Sequence, residues 1–438
     1  MFILAISYLE FNLEYIIMYN LQKLNNELQT LTVPMSGTKT VTVLAMIRTG
    51  SRDETQKNNG ISHFLEHMFF KGTEKRPTSV DIAGELDNVG GEYNAFTGKE
   101  YTGFFVKVAS EHLDLAFDVV SDILKNSKFQ TEEIEREKGV IAEEINMYHD
   151  NPLIYIEDVF ERCLYGDTPL GWEIAGSKEN INSFQREDFL EYFTSQYSSG
   201  NTILTIAGDV TKEKGEELAS RHFGDLRNTT PSDRQPVPTA KGGPRIEAVN
   251  KETGQTNLSL GVKGYSAVHP DRFTVKVMAA ILGGSMSSRL FTELREKQGL
   301  AYYVRTQNEV MSDTGYLTTR AGVPNEKLSQ ALRIILQEYK RLTEEQVEEK
   351  ELQRTKDMIR GRSVLNLESS DNISEWYAES LVLGEEVLTP QEFLSKIDEV
   401  TAEDIARVAG EIFRENNLHL AVIGPIQDPD AWREELKF

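Results

Sequence analysis

Cysteine is almost missing from this chain: Cys163 is the only one in 438 residues. No intrachain disulfide framework can form, and a reducing, cytoplasmic compartment is the simpler expectation. Cys163 itself reads as a small buried hydrophobe. Basic residues are also in deficit, 47 against 70 acidic, for a net charge of -23. That balance argues against nucleic acid and anionic membrane surfaces as partners and favours cationic ligands. The nearest approach to a long apolar run is Met1 to Met18, "MFILAISYLEFNLEYIIM", which carries Glu10 and Glu14 inside it. It has no basic start, no uninterrupted hydrophobic stretch, no small-residue cleavage site and no arginine, so neither a secretory signal nor a mitochondrial presequence is expected. Two readings remain, an extra amphipathic helix or a start assigned too early with Met18 as the initiator. The second is slightly favoured, because "YNLQKLNNELQTLTVPM" opens directly on a strand and turn pattern.

The length is enough for two or three domains. Lys39 to Arg48, "KTVTVLAMIR", is β-branched and bounded by Gly37 and Gly50, which predicts a buried strand. Thr78 to Asp81 is a helix-capping signature, with Gly90 and Gly91 ending the helix that follows. Two strand-like runs, "EYNAFT" and "EYTGFFVKVA", precede long amphipathic patterns at roughly 111–127 and 131–149. A loop, "GDTPLGWEIAGSKENI", leads to a helix near 185–196 and a strand at Asn201 to Ala207. The stretch 228–243, "NTTPSDRQPVPTAKGG", has the composition of a linker. Beyond it the pattern repeats: "TNLSLGVKGY" mirrors the first buried strand, and "RENNLHLAVIGPI" mirrors "SSGNTILTIAGDV". The expected architecture is α+β, two homologous α/β-sandwich halves in tandem. Its expected parts are an N-terminal extension at 1–19, a first half at 20–227, the linker, and a second half at 244–438. The second half's comparable helix, "DRFTVKVMAAILGG", contains no histidine, so the chemistry is expected in the first half. Gly283 and Gly284 read either as a flexible loop or as that helix's C-cap, with the cap favoured.

Histidine is scarce, seven in all, yet His63 and His67 stand four apart in "HFLEHMFFKGT". On an α-helix such positions project from one face, so two imidazoles can meet one metal ion. Glu66 lies within one turn of both, placed to accept a proton from a water polarised by the metal. His-x-x-Glu-His is the inverted form of the better known zinc motif. A third ligand must come from elsewhere, and "TEEIEREKGVIAEEINMYHD" offers several glutamates. Ile134, Ile141, Ile145 and Tyr148 mark its packed face; Glu137 and Glu144 are seven apart, two turns, so they share a face, and Glu143 points away. Glu137 and Glu144 can supply one ligand and one carboxylate that orients a histidine.

From about residue 20 onward the sequence resembles the pitrilysin and insulinase family of zinc peptidases, in particular the short subfamily that contains the mitochondrial processing peptidase β subunit and bacterial homologues. "HFLEHMFFKGT" looks like that family's signature, and Glu144 falls 77 positions after His67, where the family carries its third ligand. The resemblance implies a processing-peptidase-like metallohydrolase fold and one zinc per chain, held by His63, His67 and Glu144, with Glu66 as general base and Glu137 supporting a histidine. It further implies that "GGEYNAFTGKEYT" is an edge strand to which peptide adds as another strand, with Asn94, Ala95 and Phe96 lining the cleft and Asn94 donating to a substrate carbonyl. In "SSRLFTELREKQGLAYYV", Arg295 and Tyr302 match a pair that contacts substrate and steadies the developing oxyanion. The expected activity is zinc-dependent endopeptidase or oligopeptidase cleavage of extended peptides, with basic ones favoured by the charge balance. The expected assembly is a homodimer. The alternative is a non-catalytic structural or assembly subunit, a form that characteristically loses zinc ligands; none is lost here.

Overall fold

In this computed structural model, residues 18–229, 234–237 and 245–438 are described. The reading of 1–17 and most of the linker reading fall outside those residues.

The first half is built on a six-stranded sheet with the order β1-β2-β6-β3-β5-β4. Its strands are β1 (Asn20–Lys23), β2 (Gln29–Pro34), β3 (Thr40–Ile47), β4 (Glu92–Thr97), β5 (Thr102–Ala109) and β6 (Thr202–Gly208). The second half carries a five-stranded sheet, β7-β11-β8-β10-β9, formed by β7 (Arg245–Asn250), β8 (Thr256–Lys263), β9 (Val304–Val310), β10 (Gly315–Val323) and β11 (Leu418–Gly424). Without β1 the two orders are the same. In each sheet the parallel pair is the same too, β2 with β6 and β7 with β11, and the other pairs are antiparallel. The internal repeat read from the sequence is therefore a repeat of topology.

The helices of the first half are α1 (Ile61–Phe69), α2 (Ser79–Asp87), α3 (Leu113–Asn126), α4 (Thr131–Asp150), α5 (Pro152–Tyr165), α6 (Lys178–Ser183), α7 (Arg186–Gln196) and α8 (Lys212–Phe223). Those of the second are α9 (Arg272–Gly283), α10 (Leu328–Glu344), α11 (Glu349–Asn366), α12 (Ser370–Val382), α13 (Pro390–Glu399) and α14 (Ala402–Ile412). Thr78 does cap α2, and its hydroxyl accepts from the Asp81 N–H. On α3, Leu113, Ala116, Phe117, Val120 and Leu124 recur at helical spacing and are all buried against β3 and β5.

The continuous apolar run of β3 has a physical cause, since both of its faces are covered. Val43, Ala45 and Ile47 join the core under α1 and α3, while Leu44 and Met46 pack against Ile373, Tyr377, Ala378 and Leu381 of α12. Thus α12, from the second half of the sequence, covers the first sheet. Reciprocally α5, from the first half, covers the second sheet, where Ile156, Val159 and Phe160 meet Tyr316, Ala421 and Ile423. The sequence reading passes over both helices, because each finds its partner sheet in the other half of the chain. The linker is also tied down where it is described: Arg234 binds Asp53, and the Gln235 carbonyl accepts from Arg52. Arg52, buried, pairs with Glu100 and with Asp313 of the second half.

Candidate active site

Helix α1 divides cleanly. Ile61, Phe64, Leu65, Met68 and Phe69 face the core, which leaves His63, Glu66 and His67 on the opposite side. The remainder of the sequence motif is structural. Gly72 has φ +131°, and a Cβ there would sit 2.3 Å from the Pro77 carbonyl oxygen. The Thr73 hydroxyl donates to Asp122, which also pairs with the fully buried Arg76. The chain leaving α1 is thereby anchored to α3.

Glu144 of α4 comes to meet the two histidines. Its Oε2 lies 3.7 Å from His63 Nε2 and 3.5 Å from His67 Nε2. Among the described residues, these three side chains form the one group of potential ligands close enough to share an ion, with donor atoms within 4.8 Å of one another. Zinc bonds of 2.0–2.2 Å at a tetrahedral angle put donor atoms roughly 3.3–3.6 Å apart, so the set fits that ion. The surroundings fit as well. Glu137 accepts from His67 Nδ1 at 2.9 Å, which leaves Nε2 as the lone-pair nitrogen, and Lys71 pairs with the second Glu137 oxygen at 2.6 Å. Three carboxylates, Glu66, Glu137 and Glu144, crowd a half-buried pocket with two imidazoles, and a divalent cation offsets that charge.

Burial and the neighbouring His67 lower the pKa of His63 to about 4, against the pull of Glu144. At His67 burial works the same way, but the Glu137 hydrogen bond and the nearby carboxylates outweigh it and raise the pKa. Burial opposes ionisation of Glu137 too; there His67 and Lys71 win, and its pKa falls. Burial raises the pKa of Glu66, although Thr97 donates to its Oε2 at 2.6 Å. A glutamate whose pKa is raised by burial and whose carboxylate is fixed by one hydroxyl suits proton transfer.

The remaining expectations fare differently. Glu143 is exposed and bonded by Asn146, away from the cluster. Tyr148 is not a core residue of α4: it is half-buried, and its hydroxyl donates to Glu144 Oε1 at 2.7 Å. Among the described residues, strand β4 is an edge strand, paired only with β5. Gly98 N–H bonds the Tyr101 carbonyl, so in the alternating antiparallel ladder the N–H and C=O groups of Tyr93, Ala95 and Thr97 point to the open edge. Asn94 is exposed, and its Oδ1 accepts from the Ala95 N–H at 2.9 Å. The Ala95 side chain belongs to the core, and Phe96 packs on the α12 side of the sheet, opposite the face of Thr97. Successive strand residues alternate faces, so Asn94, Ala95 and Phe96 cannot all line one cleft with their side chains.

Arg295 lies in a π-helical turn, Phe291–Lys297, and donates to the Tyr302 carbonyl at 2.9 Å with its guanidinium 5.2 Å from the Tyr302 ring. Tyr302 is 76% exposed. Among the described residues, no hydrogen bond or ion pair joins this pair to the histidine cluster. Gly284 ends α9 in a right-handed conformation, as a cap. Cys163 is free and buried. The sequence reading missed Thr97, Tyr148 and Lys71; the only local signal is Tyr148 at four residues from Glu144.

Fold and site together define a two-sheet architecture with one candidate metal site. A model described as Insulinase (Peptidase family M16) matches residues 30–178, and one described as Peptidase M16 inactive domain matches 183–359. An uncharacterized zinc protease of Rickettsia felis is 37% identical over 93% of this chain and 98% of its own. The chain belongs to the insulinase family, peptidase family M16, and is of its short type. Among solved structures, a protease from Helicobacter pylori superposes with a TM-score of 0.86 at 25% identity, covering 94% of this chain and 100% of that one. A chain of Complex III2 from Candida albicans has a TM-score of 0.83 at 18% identity, covering 96% of this chain and 100% of its own, a likeness of fold alone. Among the described residues, no helix is long and apolar enough to cross a membrane.

Proposed function

We propose that the chain is a zinc-dependent endopeptidase or oligopeptidase that cleaves extended peptides. The observation that carries this reading is the convergence of His63 Nε2 and His67 Nε2 on Glu144 Oε2, with Glu66 on the same helix face. His63, His67 and Glu144 would hold zinc, which supplies a Lewis acid and makes water a nucleophile near neutral pH. Glu137, braced by Lys71, keeps His67 in the tautomer that offers Nε2. Glu66, oriented by Thr97, takes the proton of the attacking water and delivers it to the departing amine.

A peptide aligned on β4 pairs with the outward groups of Tyr93, Ala95 and Thr97, which reads backbone and accepts varied sequences. Asn94 releases the Ala95 N–H as the substrate carbonyl arrives. A preference for basic side chains is supported by the acidic balance of the chain, 70 acidic against 47 basic residues. Arg295 and Tyr302, which share no hydrogen bond or ion pair with the cluster among the described residues, reach substrate in a homodimer beside the zinc of the same or the facing chain. A non-catalytic role has the shared fold in its favour; the clustering of His63, His67 and Glu144 beside Glu66 supports the catalytic reading.

The test is hydrolysis of a quenched peptide by the wild type and by Glu66→Gln. The variant is expected to bind zinc like the wild type and to lose at least a thousandfold in kcat. A wild type that holds zinc and cleaves nothing, in any oligomeric state, excludes this reading.

A further inference from the structure

The first N–H groups of a helix need partners from outside it, and side chains at the N-cap usually supply them. Helix α1 cannot use that device. Its N-cap is Gly60, at φ +100°, and a Cβ there would lie 2.7 Å from the Ala175 carbonyl oxygen. The acceptor comes instead from six residues upstream. Glu54 Oε2 accepts from Gly60 N–H at 2.8 Å and from Asn59 Nδ2 at 2.9 Å, and its Oε1 accepts from Ser62 N–H at 2.8 Å. Glu54 is only 4% exposed; burial raises its pKa to about 7, against the Ser62 and Gly60 N–H groups that its oxygens accept from at the start of the helix.

The base on which Glu54 stands is itself fixed. The turn Ser51–Asp53 is held through Arg52 to Glu100 and to Asp313 of the second half. Both oxygens of one buried carboxylate therefore set where α1 begins and how it is rotated. His63 follows Ser62 directly. Side-chain tips lie about 5–6 Å from a helix axis, so a rotation of roughly 10° moves an imidazole nitrogen by about 1 Å. That is half a zinc–nitrogen bond.

We infer that Glu54 is a positioning residue for the metal-binding helix: it touches no reacting group, and fixes the angle at which His63, Glu66 and His67 face Glu144. The inference rests on reading His63, His67 and Glu144 as a zinc site. Glu54→Gln keeps the size of the side chain but turns an NH2 group towards donors that need an acceptor.

The experiment is zinc affinity by chelator competition on the full chain, beside kcat and KM for a quenched peptide. Tyr192→Phe is the control for general loosening, because it removes a buried hydroxyl contact to the Ser62 hydroxyl and leaves the Ser62 N–H bond intact. Glu54→Gln is expected to weaken zinc at least tenfold and to lower kcat with KM within twofold, while Tyr192→Phe keeps zinc affinity within threefold. If Glu54→Gln does not fold, Glu54→Asp, which withdraws the same carboxyl acceptor by one methylene, is expected to weaken zinc likewise. Wild-type affinity in a folded Glu54 variant, or an equal loss in Tyr192→Phe, overturns this inference and leaves the proposed function standing. A wild type that takes up no zinc removes both.

Discussion

Oε1 of Glu137 lies 2.9 Å from Nδ1 of His67, while its other oxygen is paired with Lys71. In the proposed zinc site the carboxylate would orient a ligand without being one. Losing such a partner typically costs 10–100-fold in metal affinity. Glu137→Gln is expected to weaken zinc by that factor and Glu144→Gln by more, whereas Glu143→Gln should be indistinguishable from wild type. Isothermal titration against a competing chelator checks the order, and equal losses at Glu143 and Glu144 would contradict the face assignment on α4.

Thr97 is the hydroxyl that holds Glu66. Its hydrogen bond favours the ionised carboxylate, against the burial that raises the Glu66 pKa. Thr97→Val removes that support, so the acidic limb of the kcat/KM profile is expected to move to higher pH, with kcat down about tenfold and zinc content unchanged. A limb that stays in place would show that another group sets it.

Glu309 on β9 has its pKa raised to about 7 by burial and by Glu157, Glu161 and Glu379, with Arg320 opposing. Its folded-state pKa exceeds the unfolded one, so the folded chain holds this proton longer, and stability is lost as pH rises from about 4.5 through about 7. A displacement of that size corresponds to at most about 3 kcal/mol. Glu309→Gln imposes no buried charge, so its melting temperature relative to wild type is expected to climb between pH 5 and pH 8. Thermal melts in chelator measure this, and a difference that is flat with pH would refute it.

The exchanged helices predict that the halves are coupled. Ile373 of α12 is fully buried against the first sheet. Ile373→Ala is expected to cost about 2–4 kcal/mol and to lower hydrogen-exchange protection in β3 and β6, strands encoded far upstream. Loss of protection confined to the second sheet would contradict the packing.

Much of this was legible in the chain because it is periodic. His63, Glu66 and His67 repeat at helical spacing on one face; Glu137 and Glu144 repeat at two turns on another. The two sheets announce themselves by repeating one order of strands and helices. What was not legible depends on pairs that no period links. Glu66 meets Thr97 across a helix and a strand, and Glu54 reaches a helix it does not belong to. Helices α5 and α12 have ordinary apolar stripes, but nothing local says that each covers the other half's sheet. The edge strand misled in a different way. "NAF" was read as three residues of one cleft, yet the pleat sends Ala95 to the core and Phe96 to the far face.

The central claim is that catalysis runs on one zinc held by His63, His67 and Glu144. The most direct measurement is peptide hydrolysis by metal-stripped protein as zinc is added back. The account predicts no cleavage without metal, a linear return of activity that saturates at one zinc per chain, and no return in Glu144→Gln at the same zinc concentrations. Hydrolysis that persists in the stripped protein, or that returns fully in Glu144→Gln, would contradict it.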